Sequence, residues 1–96
     1  MSQPSNPIFS PEYDHLRRVL LRARQDAGLT QAALAARLGR STAHVTLLEN
    51  GQRRVEILDF FNHVTALGLE PLAVADEVFG GFREVRSTSP AAASAP

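Results

Sequence analysis

A chain of 96 residues is long enough for one domain with a small hydrophobic core. It has no cysteine, which excludes disulfide bonds and thiolate metal sites and suits a cytoplasmic protein. Its ten basic residues, all arginine, balance ten acidic residues, so the net charge alone gives no reason to expect a nucleic-acid partner. The sequence has no apolar run of about 18 residues and no secretion signal, so we expect no membrane contact.

The N-terminal part of the chain is predicted to hold a short arm and one helix. Residues 1–11 contain three prolines and several small polar residues, which is typical of a flexible arm. From Glu12 to Ala27, apolar residues recur at intervals of three and four, and Gly28 follows. This spacing predicts an amphipathic helix with an arginine-rich outer face. Its apolar stripe is formed by Leu16, Val19, Leu20, Ala23 and Ala27.

Residues 30–51 have the pattern of two short helices joined by a tight turn. Thr30 is a good N-cap for the first helix. Gly39 follows the last apolar residue of that helix, where a chain often turns through a left-handed conformation. Ser41 is then placed to cap a second helix over residues 42–49.

These two helices are expected to cross at a steep angle, because only one helix-length segment fits on each side of Gly39. Their contact requires a small side chain, and Ala35 is placed to let the second backbone approach. Val45 and Leu48 have the i, i+3 spacing of a buried helix face and are expected to fill the contact.

Two further helices are predicted in the C-terminal half. One covers residues 55–67 and is ended by Gly68, and the other covers residues 71–79 and begins with Pro71. The side chains expected to face the core are Ile57, Phe60, Phe61, Val64 and Leu67 on the fourth helix and Leu72, Ala75 and Phe79 on the fifth.

The glycine pair Gly80 and Gly81 is expected to end the fifth helix. Residues 80–86 then form a possible dimerisation extension, because the stretch from 82 alternates apolar and charged residues, as a short strand or a helical extension would. The apolar residues expected to form the dimer contact are Val78, Phe79, Phe82 and Val85. Residues 87–96 are alanine, serine, threonine and proline, which predicts a disordered tail.

Charge is distributed unevenly along the chain. Residues 15–54 contain eight arginines against two acids, Asp26 and Glu49, whereas residues 55–86 contain six acids and two arginines. The positive segment includes the two-helix motif, which favours a phosphate-rich partner. A GC-rich coding sequence is an alternative explanation for the use of arginine in place of lysine.

The joint spacing of this motif resembles the helix-turn-helix of the Cro and phage-repressor type, the XRE family. The resemblance extends from Leu16 to about Leu69. It rests on Gln31, Leu34, Ala35, Leu38, Gly39, Val45, Leu48, Glu49, Asn50 and Gly51, with GQRRVEILDFF and ALGLEP after them. It implies an all-α, five-helix, lambda-repressor-like DNA-binding domain over residues 12–79, with flexible tails.

The resemblance also implies which side chains meet DNA bases. The helix 42–49 would enter the major groove with Thr42, Ala43 and Leu47 towards the bases and with His44 and Thr46 on the same outward face. None of these is a bidentate donor to guanine or adenine, so we expect thymine-methyl contacts and DNA shape to carry specificity. An exposed Leu47 has an alternative use, which is packing against a neighbouring subunit.

Contacts to the DNA backbone are implied for Gln31, at the start of the first motif helix, and for Arg53 and Arg54, which follow the second. A solvated basic loop is the alternative for the two arginines. The predicted DNA-contacting set is Gln31, Arg40, Ser41, Thr42, Ala43, His44, Thr46, Leu47, Asn50, Arg53 and Arg54. The resemblance also implies a structural ion pair between Arg24 and Glu49. The other structural residues of the motif are Ala35, Gly39, Val45 and Leu48.

Catalysis and metal binding are not expected. His15, His44 and His63 are scattered along the chain without ligand spacing, and His63 is expected to be a partly buried, hydrogen-bonded histidine. The sequence has no phosphate-binding glycine loop and no nucleophile motif, so no cofactor is expected.

The function that follows is a bacterial or phage transcriptional regulator, most simply a repressor. It would bind double-stranded DNA in the cytoplasm as a homodimer. Two alternatives remain open: a protein-interaction module, such as an antitoxin or an accessory factor that binds another regulatory protein, and a nucleoid protein with little sequence preference.

Overall fold

Each of the five helices that the structure describes has a side chain near its start that accepts a hydrogen bond from a backbone amide. The computed structural model describes residues 10–88, and no strand forms among them. The helices are α1 (Pro11–Asp26), α2 (Gln31–Leu38), α3 (Thr42–Glu49), α4 (Ile57–Ala66) and α5 (Pro71–Thr88). The predicted all-α, five-helix fold is confirmed. Most of the predicted arm and tail lies outside the described residues.

The N-caps explain why the helices begin where they do. The hydroxyl of Thr30 accepts a hydrogen bond from the backbone amide of Ala33 at 3.0 Å. The hydroxyl of Ser41 accepts one from the backbone amide of His44 at 3.3 Å. Both caps were expected from the sequence. Gly39 has the predicted left-handed conformation, with φ of 68°, between α2 and α3.

The hydrophobic core has two adjoining parts. The first lies between α1, α4 and α5 and contains Val19, Leu20, Val64, Val74 and Val78. The second contains Leu34, Ala35, Val45 and Leu67 and joins α2 and α3 to α4. Ala35 and Val45 meet in this second part, as predicted for a close crossing of α2 and α3. The core therefore holds the two motif helices against a three-helix base.

The expected end of α5 at the glycine pair is wrong, because the helix continues through Gly80 and Gly81 to Thr88. The reason lies in the contact with α1. A Cβ atom on Gly81 would lie 1.9 Å from Nε2 of His15, so the absence of a side chain on Gly81 leaves room for the His15 ring between the two helices. Phe82, one residue later, packs against the first core and makes an edge contact with the His15 ring, with 6.1 Å between ring centroids.

Four apolar side chains expected in the core are exposed: Ile57, Phe61, Leu72 and Phe79. A helix can turn only one stripe towards the core. On α4 that stripe is taken by Phe60, Val64 and the buried His63. On α5 it runs through Val74, Val78 and Phe82, so Leu72 and Phe79 lie to its sides.

None of the helices in the described part of the chain is both long enough and apolar enough to cross a membrane.

Candidate nucleic-acid interface

Helix α3 is held to the rest of the domain by one face and leaves another face open. Val45 and Leu48 are completely buried, as predicted. Thr42 and Ala43 are exposed on the first turn, and Thr46 and Leu47 are partly buried on the next. The accessible face is therefore small, with two threonines and two apolar side chains, and Asn50 is exposed at its C-terminal end.

The expectation that His44 lies on this open face is wrong. Its side chain is buried and points towards α4, where Nε2 lies 4.0 Å from a carboxylate oxygen of Asp59. Its ring centroid is 5.9 Å from that of His63. Burial lowers the pKa of His44, and the nearby positive charges of Arg40 and Arg53 lower it further. His44 is therefore part of the contact between α3 and α4.

His63 is buried, as expected, and is hydrogen-bonded on one side of its ring. Nδ1 lies 3.0 Å from the backbone carbonyl of Asp59 and must carry the proton there, since a carbonyl oxygen can only accept. Nε2 is buried and has no hydrogen-bond partner among the described residues. Burial is the main cause that lowers the pKa of His63. Residues 10–88 contain no group of three or more acidic, histidine or cysteine side chains arranged to hold a metal ion.

The predicted ion pair between Arg24 of α1 and Glu49 of α3 is present and buried. Nε and Nη2 of Arg24 donate to the two carboxylate oxygens of Glu49 at 2.6 and 3.0 Å. Nη1 of Arg24 also donates to the carbonyl of Leu29 at 2.7 Å, so one guanidinium joins α1, the turn before α2, and α3. Such a two-pronged pair fixes orientation as well as distance.

A second arginine of α1 contacts the end of α3. Nη1 of Arg17 donates to the backbone carbonyl of Glu49 at 2.9 Å, and its Nη2 donates to Asp14. The last carbonyls of a helix lack partners within the helix, so a cation is favourable there. The sequence offered no signal for this role, because Arg17 appeared there only as one of eight arginines in the positive segment.

Gln31 is bound on both sides of its amide by other predicted site residues. Its Nε2 donates to Glu49 at 2.9 Å, and its Oε1 accepts the hydroxyl of Thr46 at 2.7 Å. The hydroxyl of Ser41 caps α3. The side-chain oxygen of Asn50 accepts a hydrogen bond from the backbone amide of Gln52 at 3.2 Å. The backbone carbonyl of Leu47 accepts the amides of Gln52 and Arg53, which anchors the loop after α3.

The arginines of the positive segment divide into two groups. Arg17 and Arg18 bind Asp14, Arg24 binds Glu49, and Arg37 donates to the carbonyl of Ala66. By contrast, Arg22, Arg40, Arg53 and Arg54 are exposed, and no acid among residues 10–88 lies within ion-pair distance of them. Arg22 lies on α1, Arg40 precedes α3, and Arg53 and Arg54 follow α3. Three unpaired positive charges therefore lie next to the two ends of α3.

Comparisons with known proteins agree with this geometry. A family model described as a helix-turn-helix domain matches residues 15–77. Among solved structures, the chain is similar to an XRE-family like protein from Pseudomonas syringae pv. tomato str. DC3000, with 38% sequence identity and a TM-score of 0.69. That match covers 72% of this chain and 84% of the other. No curated protein matches the sequence. The chain belongs to the XRE family of helix-turn-helix DNA-binding regulators.

Proposed function

We propose that this protein is a sequence-specific transcriptional repressor that inserts α3 into the major groove of double-stranded DNA. The observation that carries the proposal is the open face of α3 with unpaired arginines at both of its ends. A major groove about 12 Å wide admits one α-helix, and cations at the ends of that helix would meet the phosphates on either side. The protein would act in the cytoplasm by blocking a promoter, without a cofactor and without catalysis.

Base recognition would rely on few hydrogen bonds. Ala43 and Leu47 offer methyl groups, which suit the C5 methyl of thymine, and the hydroxyl of Thr42 offers one hydrogen bond. Arg40 and Asn50 are the larger polar side chains at the two ends of this face. Because none of the three central side chains can pair with a base through two hydrogen bonds, DNA shape and deformability would contribute to specificity. His44 is removed from the base-reading set because it is buried.

Backbone contacts would come from Gln31 and from the loop that follows α3. Gln31 begins α2, and the positive end of a helix dipole with its free amides favours a phosphate. Arg53 and Arg54 are exposed in a loop whose backbone is hydrogen-bonded to α3. These contacts would fix the position of α3 on the duplex without reading its sequence.

A selection of random duplexes on the purified protein tests the DNA-binding proposal. Enrichment of a common motif, with affinity that falls steeply between about 50 and 200 mM salt, would support sequence-specific binding. Salt-dependent binding without an enriched motif would favour the nucleoid alternative. Thr42→Ala should alter the enriched motif, whereas the matched control Thr65→Ala, which changes an exposed threonine of α4, should not. A promoter–reporter fusion carrying the motif would then distinguish repression from activation.

We also propose a homodimer, and the exposed residues of the described structure suggest a different dimer contact from the one predicted from the sequence. Val78 is buried in the first core and Phe82 is partly buried against it, so neither offers a fully exposed side chain for a dimer contact. The large apolar side chains left exposed on α4 and α5 are Ile57, Leu58, Phe61, Leu72 and Phe79. Ile57 and Phe79 border one apolar groove whose other walls include Leu16, Phe60 and Phe82. An exposed apolar patch of this kind is typical of an interaction site.

Sedimentation equilibrium of the wild type and of a Phe79→Glu variant tests the dimer. We expect a dimer in the wild type and a monomer in the variant, with the helical circular-dichroism signal retained. The control is Glu84→Gln, a substitution at an exposed position of the same helix. A monomeric wild type that co-purifies with a second polypeptide, and loses it on Phe79→Glu, would instead support the protein-interaction module.

A further inference from the structure

The hydroxyl of Thr46 points back into the protein, towards the start of α2. It lies 2.7 Å from Oε1 of Gln31 and 3.2 Å from the backbone carbonyl of Thr42. Both neighbours are acceptors, so the single hydroxyl proton of Thr46 is donated to one of these two protein atoms. Thr46 therefore has no proton to give to a base, although it sits on the helix proposed to read DNA.

The orientation of the Gln31 amide follows from its other neighbour. The carboxylate of Glu49 can only accept, and it lies 2.9 Å from Nε2 of Gln31, so the nitrogen of the amide must face Glu49. The amide oxygen then faces Thr46, whose hydroxyl donates to it. Two contacts on opposite sides of the amide thus hold the side chain in one rotamer.

This arrangement is tied to the interior of the domain. The Glu49 carboxylate that holds Gln31 is itself buried and held by two donors of Arg24. Gln31 is only partly buried, and one of the two N–H groups on Nε2 is not used by this network. The backbone amides of Gln31 and Ala32, in the first turn of α2, also have no partner among the described residues. Three donors are therefore grouped at one helix start.

We propose that Thr46 is a positioning residue that orients Gln31 to donate to a DNA phosphate. This inference rests on the proposed DNA-binding function. A side chain that is already held in its bound rotamer loses little conformational entropy on binding. The smaller entropy loss makes the affinity for DNA higher. Thr46 would thus act on the backbone contact of α2 without touching a base, although it lies on α3.

The test uses the duplex that the wild-type protein selects, and compares Thr46→Val with Thr46→Ser. Valine keeps the shape of threonine and removes the hydroxyl, whereas serine keeps the hydroxyl. We expect Thr46→Val to weaken binding by about fivefold to tenfold, which is less than the loss of a whole hydrogen bond to a charged phosphate because Gln31 itself is retained. Thr46→Ser should bind within about twofold of the wild type. Thr46→Ala serves as a second hydroxyl-free variant if the valine variant does not fold, as judged by its thermal unfolding.

A double-mutant cycle with Gln31→Ala separates positioning from other effects. If Thr46 acts through Gln31, Thr46→Val should have no further effect on affinity in the Gln31→Ala protein. Ethylation interference should identify a phosphate that matters for the wild type and not for Gln31→Ala. A duplex with a neutral methylphosphonate at that position should bind the wild type and Thr46→Val equally.

The possible outcomes separate the inference from the function on which it rests. Wild-type protein that binds no duplex overturns the proposed function itself. Wild-type binding with an unchanged affinity for Thr46→Val overturns the positioning role alone. An equal loss in the wild-type and Gln31→Ala backgrounds also overturns it, because Thr46 would then contact DNA independently of Gln31.

Discussion

The ring of His44 on α3 lies 5.9 Å from the ring of His63 on α4, behind the face of α3 that is proposed to meet DNA. Both side chains are almost completely buried, with exposures of 7% and 2%. The charged groups around the pair are Asp59 of α4, Glu49 of α3, and Arg40 and Arg53 on either side of α3. Protonation of either ring would therefore place a poorly solvated positive charge beneath α3.

We predict that the domain loses stability as the pH falls through the histidine range. Burial lowers the pKa of both rings in the folded protein below the unfolded value of about 6.5. The unfolded chain then binds more protons, so the stability is fully present above about pH 6.5 and falls as the pH drops towards the folded pKa values. Urea unfolding at a series of pH values between about 7.5 and 5.5 measures this slope.

The variant His63→Leu, which cannot be protonated at that position, should show a smaller pH dependence over this range. Val64→Ala is the matched control, because it removes buried volume from the same helix and should lower the free energy of unfolding about equally at every pH. Equal slopes for His63→Leu and the wild type would contradict the assignment of this pH dependence to the buried pair.

Loss of Arg24 is predicted to be among the most damaging single changes. Arg24→Ala removes both guanidinium donors of the buried Glu49 carboxylate, which then keeps only the amide of Gln31, and frees the carbonyl of Leu29. Removing one partner of a buried pair costs about 3 to 5 kcal/mol of the free energy of unfolding. Urea unfolding at about pH 7.5, above the histidine range, measures the loss.

Arg18→Ala is the control for this prediction. Arg18 is an exposed arginine of the same helix, paired with Asp14 at the surface. Exposed pairs contribute about 1 kcal/mol or less, so this change should have little effect. Similar losses for Arg18→Ala and Arg24→Ala would contradict the buried role of Arg24.

The two adjacent glycines of α5 are predicted to respond in opposite directions to alanine. At Gly80 a new Cβ meets no atom within 4 Å, and alanine in a helix is favoured over glycine by about 0.5 to 1 kcal/mol. At Gly81 the same Cβ meets the ring of His15 at 1.9 Å, and displacing that ring should cost about 1 to 3 kcal/mol. Thermal unfolding of the two variants compares them directly.

A third variant identifies the cause of the loss at Gly81. In a His15→Ala background the obstructing ring is absent, so Gly81→Ala should lose most of its penalty. If the penalty is the same in both backgrounds, the ring contact is not its source.

The arginines after α3 are predicted to change the salt dependence of DNA binding. Each phosphate contact contributes about 0.9 to the slope of log affinity against log salt concentration. Arg53→Ala and Arg54→Ala should therefore each reduce the slope by about that amount and weaken binding to all duplexes alike. Arg83→Ala, at an exposed position of α5, is the control and should leave the slope unchanged. Unchanged slopes for the loop variants would argue for a solvated loop.

Local signals in the sequence predicted the motif well. The caps at Thr30 and Ser41 and the left-handed turn at Gly39 depend on residues a few positions apart, so a single sequence contains them. The contact between Arg24 and Glu49 came from the family resemblance, because nothing local in the sequence pairs residues on α1 and α3.

The failures concern contacts between helices. Gly81 was predicted to end a helix because the sequence does not show that α1 packs against it. His44 was predicted to point outwards because the sequence does not show that α4 lies behind it. On α4, the inward stripe follows from how the helix is rotated against α1 and α5, so the prediction from hydrophobicity alone that Ile57 and Phe61 face the core was wrong. The predicted base and phosphate contacts remain predictions.

The two arginines of α1 that hold Glu49 also decide how α3 can open. One binds its carboxylate and the other its backbone carbonyl, so α3 cannot detach without breaking all of these hydrogen bonds and exposing the buried Val45 and Leu48. Such an opening should cost nearly as much as unfolding the whole domain. The slowest amide protons of α3 should then exchange with deuterium only through global unfolding, at the same rate as those in the middle of α1.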